Sequence, residues 1–246
     1  MITERATKIG VLVPFTNTNL EPDMNRLCPK GATMHFARLG GYDVDEIPDS
    51  AQMAGLGASD ISTELRLIAG VRPKAVLYGC TSATLTHGRS FDRDLAERIE
   101  MTAGAKSITA AGALEYALAR LAITRIGFAS PYVGEINHQA MDFLTGAGVE
   151  TLLCADIGKS LGNYGQGELT PTEVLELARR ADHPDAQAIV LSCTDMRSVE
   201  IVEALEAEIG KPVITSNQAM IFQLLEVLDL SATDVMPGRL FDLKSD

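Results

Sequence analysis

The sequence has few basic residues and no long apolar run, and each shortage excludes a class of protein. Its 21 lysines and arginines are outnumbered by 33 aspartates and glutamates, which gives a net charge of −12. Nucleic acids and anionic membranes attract basic surfaces, and this chain has no Lys/Arg cluster to offer them. No run of about 18 apolar residues occurs, which argues against a membrane-spanning helix. We therefore expect a small molecule as the partner, with no nucleic acid and no membrane.

Sequence signatures of metals and cofactors are missing as well. The four cysteines include no C-x-x-C pair, and the four histidines have no spacing typical of a metal site. No G-x-G-x-x-G or Walker lysine pattern follows a predicted strand. We expect no metal and no organic cofactor. His87, seven residues after Cys80, is interpreted as an exposed surface residue.

The start of the chain and the cysteines indicate the compartment. Met1–Ala6 has no apolar segment and no small-residue cleavage site, so the sequence predicts no secretory signal and a cytoplasmic protein. Disulfides are rare in that compartment, so free thiols are expected. Cys28 and Cys154 are interpreted as small buried residues, whereas Cys80 and Cys193 belong to an internal repeat.

This repeat divides the 246 residues into two similar halves. Three segments recur in the same order, and each is a short apolar, β-branched run that ends in Gly, Pro or a small polar residue, as buried parallel strands do. The pairs are Thr7–Phe15 with Thr124–Tyr132, Ala75–Thr81 with Ala188–Thr194, and Ile108–Ala113 with Ile214–Ala219. Three matches in one order indicate a duplication.

Helical patterns separate the predicted strands. They cover 59–69 and 91–101 in the first half. In the second half, Thr170–Glu173 reads as a capping box with proline at the first helical position, and 198–209 reads as a helix closed by Gly210. Alternating strands and helices predict βαβ units and parallel sheets.

We therefore expect an α/β protein of two similar flavodoxin-like domains, related by a pseudo-twofold axis, with the active site in the cleft between them. The predicted domains are 1–115 and 116–219, and the segment 220–246 is expected to pack back on the first. Since ligands bind beyond the carboxyl ends of parallel strands, the strand ends are the places to look for function.

Four candidate residues fall at these strand ends: Pro14, Cys80, Pro131 and Cys193. A thiol that precedes a helix N-terminus has its thiolate favoured by the backbone N–H groups. Two thiols on opposite faces of a carbon can remove a proton from one side and return it from the other. Alternatively, one can add to an activated double bond while the other protonates the neighbouring carbon. Neither route needs a cofactor.

Both routes build up negative charge, which requires hydrogen-bond donors. Thr81 and Ser82 after the first thiol, and Thr194 after the second, supply hydroxyls and backbone N–H groups. The phenol of Tyr132 is a further candidate to hold a carboxylate. Asn17, within Asn17–Asn19, is another, and the same segment also reads as a helix N-cap.

These residues resemble the aspartate/glutamate racemase superfamily, in particular its maleate isomerase and arylmalonate decarboxylase branch. The resemblance runs from Lys8 to Leu228. The motifs that carry it are Val13-Pro14-x-x-Asn17-Thr18-x-x-Glu21, Gly79-Cys80-Thr81-Ser82, Ser130-Pro131-Tyr132 and Ser192-Cys193-Thr194.

The maleate isomerases imply a role for each matching residue. Cys80 would add to the double bond, and Cys193 would protonate the adjacent carbon. Rotation about the new single bond and elimination would then give the trans isomer. Asn17, Tyr132 and Asn163 would hold the carboxylates, although Asn163 in its glycine-rich loop also reads as a turn residue.

The arylmalonate decarboxylases imply a different reaction. They keep the second cysteine, here Cys193, and generally lack the first. Their dioxyanion hole corresponds here to Thr81, Ser82 and Tyr132. Cys80 weighs against a pure decarboxylase and leaves isomerisation and racemisation open.

Other residues leave the substrate open. Phe15, Thr16 and Asn19 depart from the maleate isomerase pattern. The run from Thr16 to Asp23 looks like proteins encoded with ectoine breakdown genes, which implies an amino- or hydroxy-substituted acid.

An isomerase or racemase acting on a small carboxylic acid is the leading hypothesis. A decarboxylase that protonates through Cys193 is the second, and a non-catalytic small-molecule binding protein is the third. The resemblance also implies a homo-oligomer, either a dimer or a tetramer.

Overall fold

Strands form where short apolar, β-branched runs are buried on both faces of a sheet. In the computed structural model, which describes residues 6–40, 50–233 and 236–242, Ala75–Tyr78 and Ala188–Leu191 are buried along their whole length. Each belongs to a four-stranded parallel sheet, one per half of the chain. The first sheet comprises β1 (Thr7–Pro14), β2 (Ala32–Leu39), β3 (Ala75–Tyr78) and β4 (Lys106–Thr109), and the second comprises β5 (Arg125–Ala129), β6 (Glu150–Ala155), β7 (Ala188–Leu191) and β8 (Val213–Thr215).

Helices connect the strands in both halves. Those of the first half are α1 (Leu20–Arg26), α2 (Ser50–Ala58), α3 (Ser62–Ala69), α4 (Thr81–Leu85), α5 (Gly88–Ala103) and α6 (Ala110–Arg120). Those that follow are α7 (Gly134–Gly146), α8 (Gly165–Glu168), α9 (Pro171–Arg179), α10 (Val202–Ile209), α11 (Ser216–Val227) and α12 (Arg239–Asp242). Among the described residues, no helix is long and apolar enough to cross a membrane.

The duplication is visible in the topology. The strand orders are β2-β1-β3-β4 and β6-β5-β7-β8, which are identical once the second sheet is renumbered from its own first strand. The third repeated segment ends in Thr109 in one half and Thr215 in the other. Both threonines are N-caps in extended conformation, and their side chains accept hydrogen bonds from the N–H groups of Gly112 and Gln218. The predicted α/β fold of two similar parallel-sheet units is confirmed.

The predicted helices are present with small changes at their ends. The helix expected over 59–69 begins at Ser62, because Asp60 accepts a hydrogen bond from the Ser62 N–H in the preceding turn. The pattern over 91–101 lies within α5. Thr170 caps α9 in a complete capping box. The segment 198–209 starts as a short 3-10 helix before α10, and Gly210 closes α10 in the left-handed conformation, with φ of 72°.

Equivalent helices of the two halves pack against each other. Helix α6 lies beside α11, and each follows the last strand of its sheet. Tyr116 packs near Phe222 with ring centroids 6.4 Å apart, and Arg120 forms an ion pair with Glu226 at 3.0 Å. The largest buried core contains residues of both halves. This pairing of equivalent elements holds the carboxyl ends of both sheets in one place.

The division into domains 1–115 and 116–219 stays a prediction. Helix α12 packs against α11 and β8, and Leu240 is buried in the core that both halves share. The absence of a secretory signal is predicted from Met1–Ala6. Of this segment, Met1–Arg5 lies outside the described residues.

Candidate active site

The carboxyl ends of β1, β3, β5 and β7 meet at one cleft between the halves. Pro14 is the last residue of β1, while Cys80, Pro131 and Cys193 each lie two residues beyond their strand. The space in this cleft, including its mouth, is about 390 Å³, which suits a small ligand. The residues that line it are Pro14, Thr16, Asn17, Met53, Leu56, Cys80, Ser82, Tyr132, Asn163, Gln166, Thr194 and Asp195.

Cys80 lines the cleft directly. It precedes α4 in extended conformation, with φ of −135° and ψ of 108°, and its Sγ lies 3.8 Å from the hydroxyl oxygen of Ser82. The preceding Gly79 has no room for a side chain, since a Cβ there would lie 2.1 Å from Leu20 of α1. This glycine therefore lets α1 pack against the strand end that carries the thiol.

Cys193 lies deeper, with 1% of its surface exposed. Its Sγ lies 3.4 Å from the Tyr132 hydroxyl oxygen, and the backbone N–H of Asp195 donates to it, also at 3.4 Å. The second thiol does not itself line the cleft, but lies behind the phenol of Tyr132, which does.

Burial has a larger effect on the pKa values of both thiols than the backbone N–H groups that favour the thiolate. The backbone N–H groups of Ala83 and Ser82 do lower the pKa of Cys80, but burial raises it by more, so the net shift is upward. Burial, together with the nearby charge of Asp195, raises the pKa of Cys193 to about 12. The helix-terminal N–H groups therefore act on Cys80 in the expected direction, but burial outweighs them because the sulfur is removed from water. Both thiols are protonated at neutral pH.

Tyr132 is held in place by the loop after β5. Its N–H donates to the Ser130 hydroxyl at 3.1 Å, and its carbonyl accepts from the Asn137 side chain of α7 at 3.0 Å. The Ser130 hydroxyl also donates a hydrogen bond to the Asn137 Oδ1, and both residues are buried. These contacts direct the phenol between Ser82, whose hydroxyl donates to it at 3.3 Å, and Cys193. Removal from water and the neighbouring thiols raise the pKa of Tyr132 well above its usual value.

Asn17 precedes α1 and joins the two halves. The N-cap of α1 is Asn19, whose side chain makes no capping bond, while the Oδ1 of Asn17 accepts from the N–H of Leu20 at 2.9 Å. Its Nδ2 donates to the Thr194 hydroxyl at 3.0 Å, and that hydroxyl donates to the Gly79 carbonyl at 2.8 Å. Asn17 and Thr194 thus lie together in the cleft, and whether they hold a substrate stays a prediction.

The two hydroxyls after Cys80 point to different places. Ser82 lines the cleft. The Thr81 hydroxyl instead donates to Ser216 of the second half at 2.9 Å and is buried. The structure therefore brings Ser82 to the site but does not bring the Thr81 hydroxyl there, because the contact between the halves occupies it.

The loop before α8 and the helix itself also line the cleft. Asn163 of the loop is one of the lining residues, and Gln166 of α8, which sequence analysis missed, is another. Met53 and Leu56 of α2 supply an apolar side that was also missed. No pattern in α2 distinguishes these two residues from ordinary core residues.

Asp195 is the most informative residue that sequence analysis missed. It is 8% exposed, and its Oδ1 accepts from the N–H of Thr18 at 2.8 Å and from the N–H and side chain of Asn19. A Cβ on Gly167 would lie 2.9 Å from its Oδ2, so the glycine permits this close approach. Burial raises the pKa of Asp195 to about 6. In the repeat, Asp195 occupies the position equivalent to Ser82.

His87 is neither exposed nor part of the cleft. It is partly buried at the start of α5, where its ring stacks on Phe91 and its Nε2 lies 2.7 Å from the Ala54 carbonyl oxygen. The interpretation as an exposed surface residue was wrong because α2 covers it. Within the ranges that the structure describes, His, Cys, Asp and Glu form no group able to hold a metal ion.

Comparisons with known proteins agree with this geometry. A family model described as arylmalonate decarboxylase matches residues 9–241. Maleate isomerase of Nocardia farcinica is 28% identical over 251 residues, covering 95% of this chain and 94% of that protein. Arylmalonate decarboxylase of Bordetella bronchiseptica is 24% identical over 238 residues, covering 94% and 92%.

A solved structure shares the fold. The Nocardia farcinica maleate cis-trans isomerase, as a cysteine-to-serine variant with a covalently bound succinylcysteine intermediate, matches with a TM-score of 0.86 and 24% identity. The match covers 98% of this chain and all of that one.

Proposed function

The chain belongs to the arylmalonate decarboxylase family, and from this membership we propose that it is a cofactor-independent isomerase that acts on a small carboxylic acid through Cys80 and Cys193. The maleate isomerase relatives support an isomerase, and the arylmalonate decarboxylase relative supports a decarboxylase as the second candidate. The observation that carries the proposal is the position of the two thiols, which come from equivalent strand ends. Cys80 lines the cleft and is linked to the Tyr132 phenol through Ser82, and Cys193 contacts the same phenol directly.

In the proposed reaction, Cys80 forms a bond to one carbon of an activated double bond. Cys193 donates a proton to the neighbouring carbon, so a single bond replaces the double bond. Rotation about it and elimination of the Cys80 sulfur give the trans isomer, and Cys193 recovers its proton. The covalent succinylcysteine of the Nocardia farcinica enzyme is the kind of intermediate that such an addition forms.

The surrounding side chains suit an acid substrate. Asn17, Asn163 and Gln166 present amide groups to the cleft, and Ser82 and Tyr132 present hydroxyls. We propose that these groups hold the carboxylates and the negative charge that develops beside them. Such local donors are needed because the chain carries a net charge of −12, which repels an anion at long range.

The decarboxylase is the second candidate, and the pairing of Ser82 with Tyr132 favours it. Their hydroxyls lie 3.3 Å apart beside Cys193, as a dioxyanion hole with an adjacent proton donor requires. The Thr81 hydroxyl does not complete this hole, since Ser216 accepts its hydrogen bond. Inversion at an α-carbon uses the same two thiols and belongs to the leading proposal.

We further propose a cytoplasmic protein that assembles as a dimer or tetramer. Two catalytic thiols need a reducing compartment to remain free, and all four cysteines are free in the structure. Size-exclusion chromatography with light scattering measures the assembly directly, and a monomer at micromolar concentration would contradict it.

Incubation in D₂O with a panel of acids, followed by proton NMR, tests the function. The panel contains maleate, aspartate, amino- and hydroxy-substituted acids and phenylmalonate. We expect a new vinyl signal or α-deuterium with the wild type. We expect a loss of at least about 10³-fold in Cys80→Ser and Cys193→Ser. Cys28→Ser is the matched control, because the Cys28 thiol contacts the Ala32 carbonyl and does not line the cleft.

The outcomes separate the candidates. Carbon dioxide release that survives Cys80→Ser but not Cys193→Ser would identify a decarboxylase. Ligand binding without turnover, retained in both cysteine variants, would identify a binding protein and contradict the proposed isomerase.

A further inference from the structure

An unbroken line of polar side chains joins the two thiols. The Cys80 Sγ lies 3.8 Å from the Ser82 hydroxyl oxygen, within reach of a hydrogen bond that involves sulfur. The Ser82 hydroxyl donates to the Tyr132 hydroxyl at 3.3 Å. The Tyr132 hydroxyl oxygen lies 3.4 Å from the Cys193 Sγ. The Ser82 hydroxyl also lies 3.0 Å from the Met53 sulfur, and its single proton can point to Met53 or to Tyr132. Transfer of a proton from the first thiol to the second uses the orientation towards Tyr132.

The proposed addition needs such a path. Both thiols are protonated at neutral pH, since burial raises the pKa of each. As Cys80 adds to the substrate, its proton must leave, and as Cys193 protonates the neighbouring carbon, its sulfur must regain a proton. A path between the two sulfurs satisfies both requirements within a closed site.

Among the described residues that line the cleft, Asp195 is the one carboxylic acid, and its hydrogen bonds serve a different purpose. Its Oδ1 accepts from Thr18 and Asn19 of the first half. Its link to Cys193 runs through its backbone N–H, which donates to the sulfur. The carboxylate therefore positions the loop after β1 rather than accepting the Cys80 proton.

We propose that Ser82 and Tyr132 form a proton relay that carries the Cys80 thiol proton to Cys193 during addition to the substrate. This inference rests on the proposed function. The Cys80 sulfur forms the new S–C bond, and the electron pair of the double bond takes the Cys193 proton. The Cys193 sulfur keeps its S–H electron pair and takes the Tyr132 proton, Tyr132 takes the Ser82 proton, and Ser82 takes the Cys80 proton.

The step balances without any further reactant. The net change is addition of the Cys80 S–H across the double bond, and Cys193 ends as it began. Elimination is the same sequence in reverse, so the site returns to its starting protonation state after each turnover. In the part of the chain that the structure describes, the titratable groups that face the relay are the two thiols, Tyr132, Asp195 and, behind Cys80, the buried Tyr78.

The first test uses pH profiles of Ser82→Ala and Tyr132→Phe, with Ser82→Thr as the variant that keeps a hydroxyl. We expect kcat at pH 7 to fall by about 10²- to 10⁴-fold when either hydroxyl is removed. Activity should recover as the pH rises, because Cys80 can then lose its proton to solvent. Ser82→Thr should restore activity at pH 7, and the wild type should have the largest solvent deuterium isotope effect.

A donor that only stabilises negative charge behaves differently. Its removal lowers kcat by the same factor at every pH and leaves the isotope effect unchanged, and that result would overturn the relay. Circular dichroism and the melting temperature of each variant separate a relay defect from misfolding.

A second test does not require turnover of the natural substrate. Acrylamide is a small activated alkene, and its addition to Cys80, followed by mass spectrometry of the Cys80 peptide, uses the same proton transfer. We expect Ser82→Ala to slow this addition at least tenfold at pH 7 and to regain the rate at high pH. An unchanged rate and pH profile would overturn the relay, whereas failure of the NMR panel alone would overturn only the proposed substrate class.

Discussion

The two halves of the molecule carry the same strand-end thiol but surround it differently. In the first half the sequence is Cys80-Thr81-Ser82, and α4 begins directly after the cysteine. In the second half it is Cys193-Thr194-Asp195, and the next helical turn begins only at Val199. The equivalent third position is therefore a neutral hydroxyl in one half and a buried carboxylate in the other.

Burial is the largest cause of the raised pKa at both thiols, and the charge of Asp195 raises both values further. Hydrogen bonds have a larger effect than this charge at Cys80, whereas the charge has the larger effect at Cys193. Backbone N–H groups and the Ser82 hydroxyl lower the pKa of Cys80 and partly offset its burial. The charge of Asp195 adds to burial at Cys193 and raises its pKa to about 12. A duplicated fold thus supplies two thiols beside one cleft, and we expect the divergence at this position to favour Cys80 as the nucleophile and Cys193 as the proton donor.

Removal of the Asp195 charge is expected to narrow the difference between the pKa values of Cys80 and Cys193. Asp195→Asn keeps the size of the side chain and its ability to accept from Thr18, but removes the negative charge that raises the pKa of Cys193. At about pH 8 we expect alkylation of Cys193 by iodoacetamide to accelerate roughly tenfold, with a smaller change at Cys80. Mass spectrometry of the two cysteine peptides measures both rates in one sample.

The pH dependence of this effect has a definite sign. Asp195, with a pKa of about 6, is charged above that pH and neutral below it. The ratio of the Cys193 alkylation rate in Asp195→Asn to that in the wild type should therefore shrink as the pH falls through 6. An equal acceleration of both thiols, or an effect independent of pH, would show that the Asp195 charge does not distinguish the two halves.

A buried carboxyl away from the cleft should change stability instead of chemistry. Burial raises the pKa of Asp92 in α5 to about 6. A carboxyl whose pKa is higher in the folded than in the unfolded state stabilises the folded protein at pH values below the unfolded pKa of about 4. This contribution to the free energy of unfolding is lost as the pH rises through the folded pKa of about 6. Asp92→Asn should therefore raise the free energy of unfolding at pH 8 by roughly 1–3 kcal/mol, with little change at pH 4.

Urea denaturation at the two pH values measures this smaller effect. Asp94→Asn is the matched control, since Asp94 lies on the exposed face of the same helix. If Asp92→Asn raised the free energy of unfolding equally at both pH values, the result would contradict a raised pKa of Asp92 in the folded state. Turnover should stay near that of the wild type, which distinguishes this carboxyl from Asp195.

The fold could be predicted from the sequence because both copies of the repeat carry their own signals. The fully buried strands β3 and β7 and the equivalent caps Thr109 and Thr215 are visible as short local patterns. Parallel pairing then places Cys80 and Cys193 at strand ends without further information.

The features of the candidate site that the sequence did not predict depend on how the two halves pack against each other. The Thr81 hydroxyl looked available for a ligand, but its contact with Ser216 exists only once the two halves are docked. The thiol pKa shifts depend on the depth of burial, which tertiary packing decides. Asp195 is equivalent to Ser82 in the repeat, but it lies directly after the matching Cys-Thr pair and differs in chemistry from its counterpart, so the similarity between the halves does not point to it.

Trapping the covalent adduct tests the unequal roles of the two thiols most directly. Cys193→Ser and Cys80→Ser are incubated with the acid that the wild type converts fastest, and peptide mass spectrometry locates any adduct. We expect Cys193→Ser to accumulate an adduct on Cys80 with the full mass of the substrate. The serine hydroxyl can still supply a proton after addition, but it does not readily form the base that removes this proton during elimination. Cys80→Ser should carry no adduct. An adduct on Cys193 in Cys80→Ser, or none in either variant, would contradict the assignment of Cys80 as the nucleophile.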